Sequence, residues 1–397
     1  MPEFKFSLPP ITGLKRDQLL AYNPRSSMLV TGGPGSGKTV VTIYRFLRPV
    51  IEKKDIILFT FNRTLIYSIR GMLKEKSEEL FGDLDLEKID DIIENNLATF
   101  YQWHKDHILY FDPYADDATF GINFKNFIKT KRENRKFDEL FFDEGQDLPS
   151  SVYSNIFLLT NTVSVGADRA QNYRNHYPPD EVEDIINDNL NSQTKSQLQY
   201  LGLNFRNTKQ VFELARNFVP NDLRVQAMDL TQLRNGNIPE IEIGLSPIQQ
   251  LEYIKKIIEI NPNSNIGILV HFRSQIIQIK EYLESENYSC KQNAPEDKSF
   301  SYYYSQMDNN DEVVLMKSLR TPFITTFESC KGLEFDIVIM PFFEKSDWAT
   351  SNVNDEGRYW ATPNHYYVAI TRAKNDIFIL CNNKPNSLRF FKKPIKN

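Results

Sequence analysis

Residues Ser27–Thr39 read SMLVTGGPGSGKT, an apolar run that breaks into glycines and ends in Lys-Thr ahead of a helical pattern starting near Val40. A loop of this kind folds its backbone N–H groups into a nest at a helix N-terminus, where negative charge is favoured. Glycine is needed because the phosphates of a bound nucleotide sit where a Cβ would collide. Gly33, Pro34, Gly35, Ser36 and Gly37 are therefore expected to wrap a triphosphate, with Lys38 reaching its β and γ phosphates and Thr39 holding Mg²⁺. ATP and Mg²⁺ are the expected cofactors.

Around this loop the chain has an ordinary globular composition. Its 397 residues are 41% hydrophobic and 13% aromatic, enough to bury the cores of two to three domains. The apolar runs are too short to cross a bilayer, and the N-terminus has no charged start followed by an apolar core, so no membrane partner and a cytoplasmic address are expected. Three widely spaced cysteines, Cys290, Cys330 and Cys381, offer neither a disulfide framework nor a zinc pattern. A net charge of −5 argues against wrapping nucleic acid by bulk charge. The acidic stretch 75–91 and the basic stretch 125–136 read as solvated faces.

Short β-branched and aromatic runs alternate with helical patterns, first at 27–31, 55–61, 97–100, 139–143 and 162–167, then at 240–243, 266–271, 323–327, 335–340 and 376–380. That alternation predicts two α/β lobes with parallel sheets. The expected domains are 1–196 and 197–397, the second opening on a strand candidate at 200–205. A small insertion is expected at about 72–134 and a polar, Tyr-rich loop insertion at about 291–320.

Leu140–Asp147 reads LFFDEGQD, a strand ending in adjacent carboxylates. This is Walker B chemistry: Asp143 can hold the Mg²⁺ that Thr39 touches, and Glu144 can orient and deprotonate the attacking water. The pattern Asp143, Glu144, Gln146, Asp147 resembles superfamily 1 helicases of the UvrD/Rep type. Further segments match that family in order: LKRDQ at 14–18, TFNR at 60–63, TFYQWH at 99–104, ADRAQNY at 167–173, LNFRNT at 203–208, TFESCKGLEF at 326–335 and YVAITRAK at 367–374.

The resemblance implies two RecA-like P-loop lobes with the nucleotide in the inter-lobe cleft. It gives Gln18 the adenine edge, Phe205 a stacking place on adenine, Glu334 the ribose hydroxyls and Gln171 the coupling of the γ-phosphate to the nucleic-acid track. Arg206 and Arg372 become the γ-phosphate cations. Thr60, Phe61, Asn62, Arg63, Thr99, Trp103 and Thr326 become candidates for contact with a single strand, although core packing competes for Phe61 and Trp103. The chain departs from the family at Glu328, where a His is usual, and at Val40, often Arg. An aromatic wedge is out of register at Tyr173 and Tyr177.

The spans between Phe61 and Asp143 and between Arg206 and Thr326 leave little room for the inserted domains of longer relatives. The implied activity is an ATP-dependent translocase or helicase on single-stranded DNA, with RNA as the alternative strand. The rival reading is an ATP-gated interaction subunit of a complex, for instance with a nuclease in host defence.

Overall fold

The computed structural model describes residues 4–82, 85–108, 112, 115–172, 177, 178, 181–291, 293–305, 307, 315, 319–346 and 361–388. These fall into two compact units, one of Phe6–Phe205 and one joining Phe4 and Lys5 to the residues from Arg206 onward. Each is an α/β, RecA-like unit built on a six-stranded sheet whose pairings are all parallel.

The first unit contains β1 Met28–Gly32, β2 Ile56–Thr60, β3 Leu97–Thr99, β4 Glu139–Phe142, β5 Val163–Ala167 and β6 Gln197–Leu201, in the spatial order β3-β2-β4-β5-β1-β6. Parallel strands need crossovers, and the helices that supply them cover both sheet faces, which is why the strands read as nearly continuous apolar runs. The alternation within each strand splits the core in two. Ile56, Leu58 and Phe141 pack with Ile43, Phe46, Leu65 and Ile69 on one face, while Phe59, Leu140 and Phe142 pack with Phe100, Trp103, Phe120 and Phe124 on the other.

One boundary differs from expectation. The first unit runs on to Phe205 rather than ending at 196, because β6 pairs with β1 from Met28↔Gln197 to Gly32↔Leu201. The stretch 72–134 supplies β3, and its Ile89, Ile92, Ile93, Phe120 and Phe124 are core residues.

The second unit contains β7 Glu240–Ile243, β8 Ile266–Val270, β9 Ser301–Tyr303, β10 Phe323–Thr326, β11 Phe335–Met340 and β12 Ala373–Cys381, in the order β7-β12-β11-β8-β10-β9. The segment expected as a loop insertion at 291–320 contains β9, an edge strand paired with β10. Lys5 is tied into this unit through Asn265, whose side chain accepts from the Lys5 N–H at 2.9 Å and donates to its carbonyl at 2.6 Å. Among the described residues no helix is long and apolar enough to cross a membrane.

Candidate active site

β1 delivers the chain into the glycine loop, and the helix Lys38–Ile51 starts directly after it. The turn requires Gly37, which sits at φ 91°, a left-handed conformation. Lys38 Nζ donates to the carbonyls of Gly32 and Gly33 at 2.7 and 2.9 Å and lies 3.3 Å from Asp168 Oδ2. The Ser36 hydroxyl is buried and has no hydrogen-bond partner among the described residues. An unsatisfied buried donor, a lysine curled onto its own loop and a helix N-terminus together form a donor set that suits an anion such as a triphosphate.

The Gln18 side chain is buried against this loop. Its Oε1 accepts from the Lys15 N–H at 2.9 Å and its Nε2 donates to the Ser36 carbonyl at 3.1 Å. The amide thereby links the N-terminus of the helix Arg16–Tyr22 to the loop. Phe205 is 48% exposed, and its N–H donates to the Gly35 carbonyl at 2.9 Å, which places an open aromatic ring next to the loop.

β4 ends with Asp143, and the Thr39 hydroxyl donates to Asp143 Oδ2 at 2.9 Å. Two oxygens suited to one Mg²⁺ are thereby brought together. Burial and then the Glu144 charge push the Asp143 carboxyl up, while the Thr39 hydroxyl and Lys38 pull it down in part, leaving it above the ordinary carboxylate range. Glu144 itself sits at φ 60° and ψ 46°, a strained conformation for a residue with a side chain. Its Oε2 accepts from Gln146 Nε2 at 2.6 Å. Gly145 is a steric requirement of the same turn, since a Cβ there would come 2.5 Å from Val165 Cγ1 and 2.7 Å from the Tyr153 hydroxyl.

Gln171 Nε2 donates to Asp168 Oδ2 at 2.6 Å, and the Asp168 N–H donates to Gln146 Oε1 at 3.1 Å. Sequence reasoning quoted Gln146 and Asp168 inside their motifs but gave neither a role. The available signal was position, since each sits just beyond the C-terminal end of a central strand, where parallel sheets carry their sites.

In the second unit Arg206 donates through Nε and Nη2 to Glu334 Oε1 at 2.8 and 2.6 Å, and through Nη1 to the Thr371 carbonyl at 3.3 Å. Lys374 Nζ lies 3.5 Å from Glu334 Oε2. Partial burial pushes the Glu334 carboxyl up, but Arg206, Lys374 and Arg372 together bring it down to about 2. Glu334, expected at the ribose, is here the counter-charge of Arg206. Arg372 is buried, with Nε donating to the Val368 carbonyl at 3.2 Å.

The strand-contact candidates separate by burial. Thr60 and Thr99 are register partners at the C-terminal ends of β2 and β3, with the Thr60 hydroxyl donating to the Asn62 carbonyl at 3.0 Å. Asn62 caps the helix Arg63–Glu75, accepting from the Leu65 N–H at 3.1 Å. Phe61 and Arg63 are half-buried, as is Thr326, whose hydroxyl oxygen accepts from the Ser329 N–H at 3.2 Å. Trp103 is a correction: it is 4% exposed, with ring centroids 5.2 Å from both Phe59 and Phe127, so core packing wins over base stacking. Of the wedge candidates, Tyr177 is buried with its hydroxyl donating to the Leu148 carbonyl at 2.6 Å, and Tyr173 lies outside the described residues.

The first half of the chain resembles a helicase domain. Residues 25–192 match the Schlafen group 3 DNA/RNA helicase domain family, and residues 229–384 match an AAA domain family. No curated protein matches it. Among solved structures, the C-terminal domain of a possible DNA helicase from Lactobacillus plantarum WCFS1 overlaps 48% of this chain and 96% of its own at 14% identity, with a TM-score of 0.32. The PRRSV helicase overlaps 92% of this chain and 54% of its own at 11% identity, with a TM-score of 0.38.

Proposed function

We propose that the chain is an ATP-dependent translocase or helicase of the UvrD/Rep type acting on single-stranded nucleic acid, with DNA as the expected strand. The observation that carries this reading is the 2.9 Å contact between Thr39 and Asp143, flanked by Lys38 on one side and Glu144 on the other. Lys38 binds and neutralises the terminal phosphates. Thr39 and Asp143 would hold Mg²⁺, which when bound offsets the charge developing on the transferred phosphoryl group. Glu144 orients the attacking water and accepts its proton. Arg206 and Arg372 are proposed as the further γ-phosphate cations, Phe205 as the stacking surface for the base, and Gln171 as the link between phosphate and strand. Thr60, Phe61, Asn62, Arg63, Thr99 and Thr326 are proposed to meet the strand.

The test is the rate of ATP turnover against single- and double-stranded DNA and RNA, both nucleic acids being in the name of the matched helicase family. Turnover raised by single strands supports the motor. Turnover indifferent to every nucleic acid overturns it and favours an ATP-gated subunit that acts on a protein partner such as a nuclease.

A further inference from the structure

We propose that Asp168 is a positioning residue that holds Lys38 while the site is empty and ties the release of Lys38 to Gln171. This inference rests on the nucleotide-binding reading of the loop.

Asp168 directly follows β5 and is 3% exposed. Its Oδ1 accepts from the Ala170 N–H at 3.1 Å, which caps the turn Arg169–Gln171 and fixes the carboxylate. Oδ2 then points inward and is shared by two groups, Lys38 Nζ at 3.3 Å and Gln171 Nε2 at 2.6 Å. Through its backbone N–H, Asp168 also touches Gln146 and, beyond it, Glu144. One buried residue therefore meets the loop lysine and the glutamine of ADRAQ through its carboxylate, and Gln146 of DEGQD through its backbone N–H.

A buried carboxylate requires a counter-charge, and removing its cation leaves an uncompensated charge behind. Lys38 supplies that charge in this structure. A triphosphate that draws Lys38 away deprives Asp168 of its cation and brings further negative charge towards it. Asp168 thus competes with the nucleotide for Lys38 and sets its affinity below what the loop alone would give. When Lys38 leaves, the Gln171 amide is the remaining side-chain donor to Oδ2 among the described residues, so the turn Arg169–Gln171 experiences a different field in the empty and filled sites. A ligand can bias a segment only through such a difference.

The experiment titrates a fluorescent ATP analogue into the full chain, with Mg²⁺ and with a chelator, for the wild type, Asp168→Asn, Lys38→Ala and the double variant. Asp168→Asn is expected to bind about tenfold more tightly, and the gain is expected to vanish in the Lys38→Ala background. Should Asp168→Asn melt below the wild type, Asp168→Ser, whose hydroxyl can still accept from the Ala170 N–H, carries the same comparison. A folded Asp168 variant that binds no tighter, or a gain that survives without Lys38, overturns the proposal while leaving the nucleotide site standing. A wild type that binds no nucleotide overturns both.

Discussion

The Gln18 side chain lies directly over Gly37: a Cβ built on that glycine would fall 2.2 Å from Gln18 Nε2. Backbone and brace are thus fitted to one another, and each can be tested. Gly37→Ala forces an L residue into φ 91°, at a cost of about 1–2 kcal/mol, and displaces the amide from the Ser36 carbonyl. A lower melting temperature together with weaker nucleotide binding is expected. Gln18→Ala removes two hydrogen bonds at about 1 kcal/mol each. As a brace, its loss weakens ATP and GTP alike; as an adenine reader, its loss would weaken ATP alone. Titration with both nucleotides separates the two roles.

Glu144→Gln keeps an oxygen to accept from Gln146 and removes the base. Nucleotide binding and melting are expected to remain near wild type while turnover falls about 10²–10⁴-fold. Single-turnover hydrolysis is the measurement, and a rate close to wild type would remove Glu144 from the mechanism.

The sequence carried the strands and the loop better than it carried the contacts. β1, β2, β4 and β5 were legible because burial on both faces makes them apolar throughout, and SMLVTGGPGSGKT and LFFDEGQD could be located because they sit at the ends of such runs. β9 was missed because its residues, Ser301 to Tyr303, are embedded in polar sequence and find their partners only through β10. β6 was seen but set on the wrong side of the domain boundary, since Gln197 and Gln199 give no sign that they pair with β1. Trp103 and Asp168 show the same limit from opposite directions. A tryptophan in a strand-contact motif had a plausible local meaning and the aspartate of ADRAQNY had no assigned one, and only the fold put one among Phe59 and Phe127 and the other against Lys38.

Glu334 gives a pH signature. Its carboxyl is held near 2, below its ordinary 4.5, so the ion pair with Arg206 contributes stability that is fully present above about 4.5 and is lost as pH falls through about 2. The melting difference between wild type and Glu334→Gln is expected to be constant above pH ~5 and to shrink between about 4.5 and 2. Because the Glu334 side chain is 35% exposed, solvent screens the pair and the difference should stay near 1 kcal/mol, about the upper end for such bridges. A difference that grows on acidification would show that the pair is not ionic in the folded chain.

Arg372 calls for a conservative substitution. With its side chain buried, Arg372→Ala leaves a cavity and removes one of the two side-chain donors to the Val368 carbonyl, so lost activity there would mix folding with chemistry. Arg206→Lys and Arg372→Lys retain charge but lose the planar fork that matches phosphate. If both arginines serve the γ-phosphate, each lysine variant should lose much of the ~10³–10⁵-fold that such arginines contribute, with nucleotide binding changed far less. Full turnover in both variants would leave the γ-phosphate to Lys38 alone.

The strand site is best tested by a contrast between two residues of the first unit. Trp103 packs against Phe59 and Phe127 and stacks on His107, so Trp103→Ala should cost about 3–5 kcal/mol of stability through the cavity it leaves. Its effect on strand affinity should appear only where the fold itself begins to fail. Arg63 is half-buried at the start of a helix that follows β2. Arg63→Ala should weaken single-strand binding for every sequence and reduce the dependence of log affinity on log salt by about 1. Strand binding measured by fluorescence anisotropy over a salt series reads both variants. A salt slope unchanged in Arg63→Ala would take that residue out of the strand path, and a folded Trp103→Ala with weakened binding would put the indole back into it.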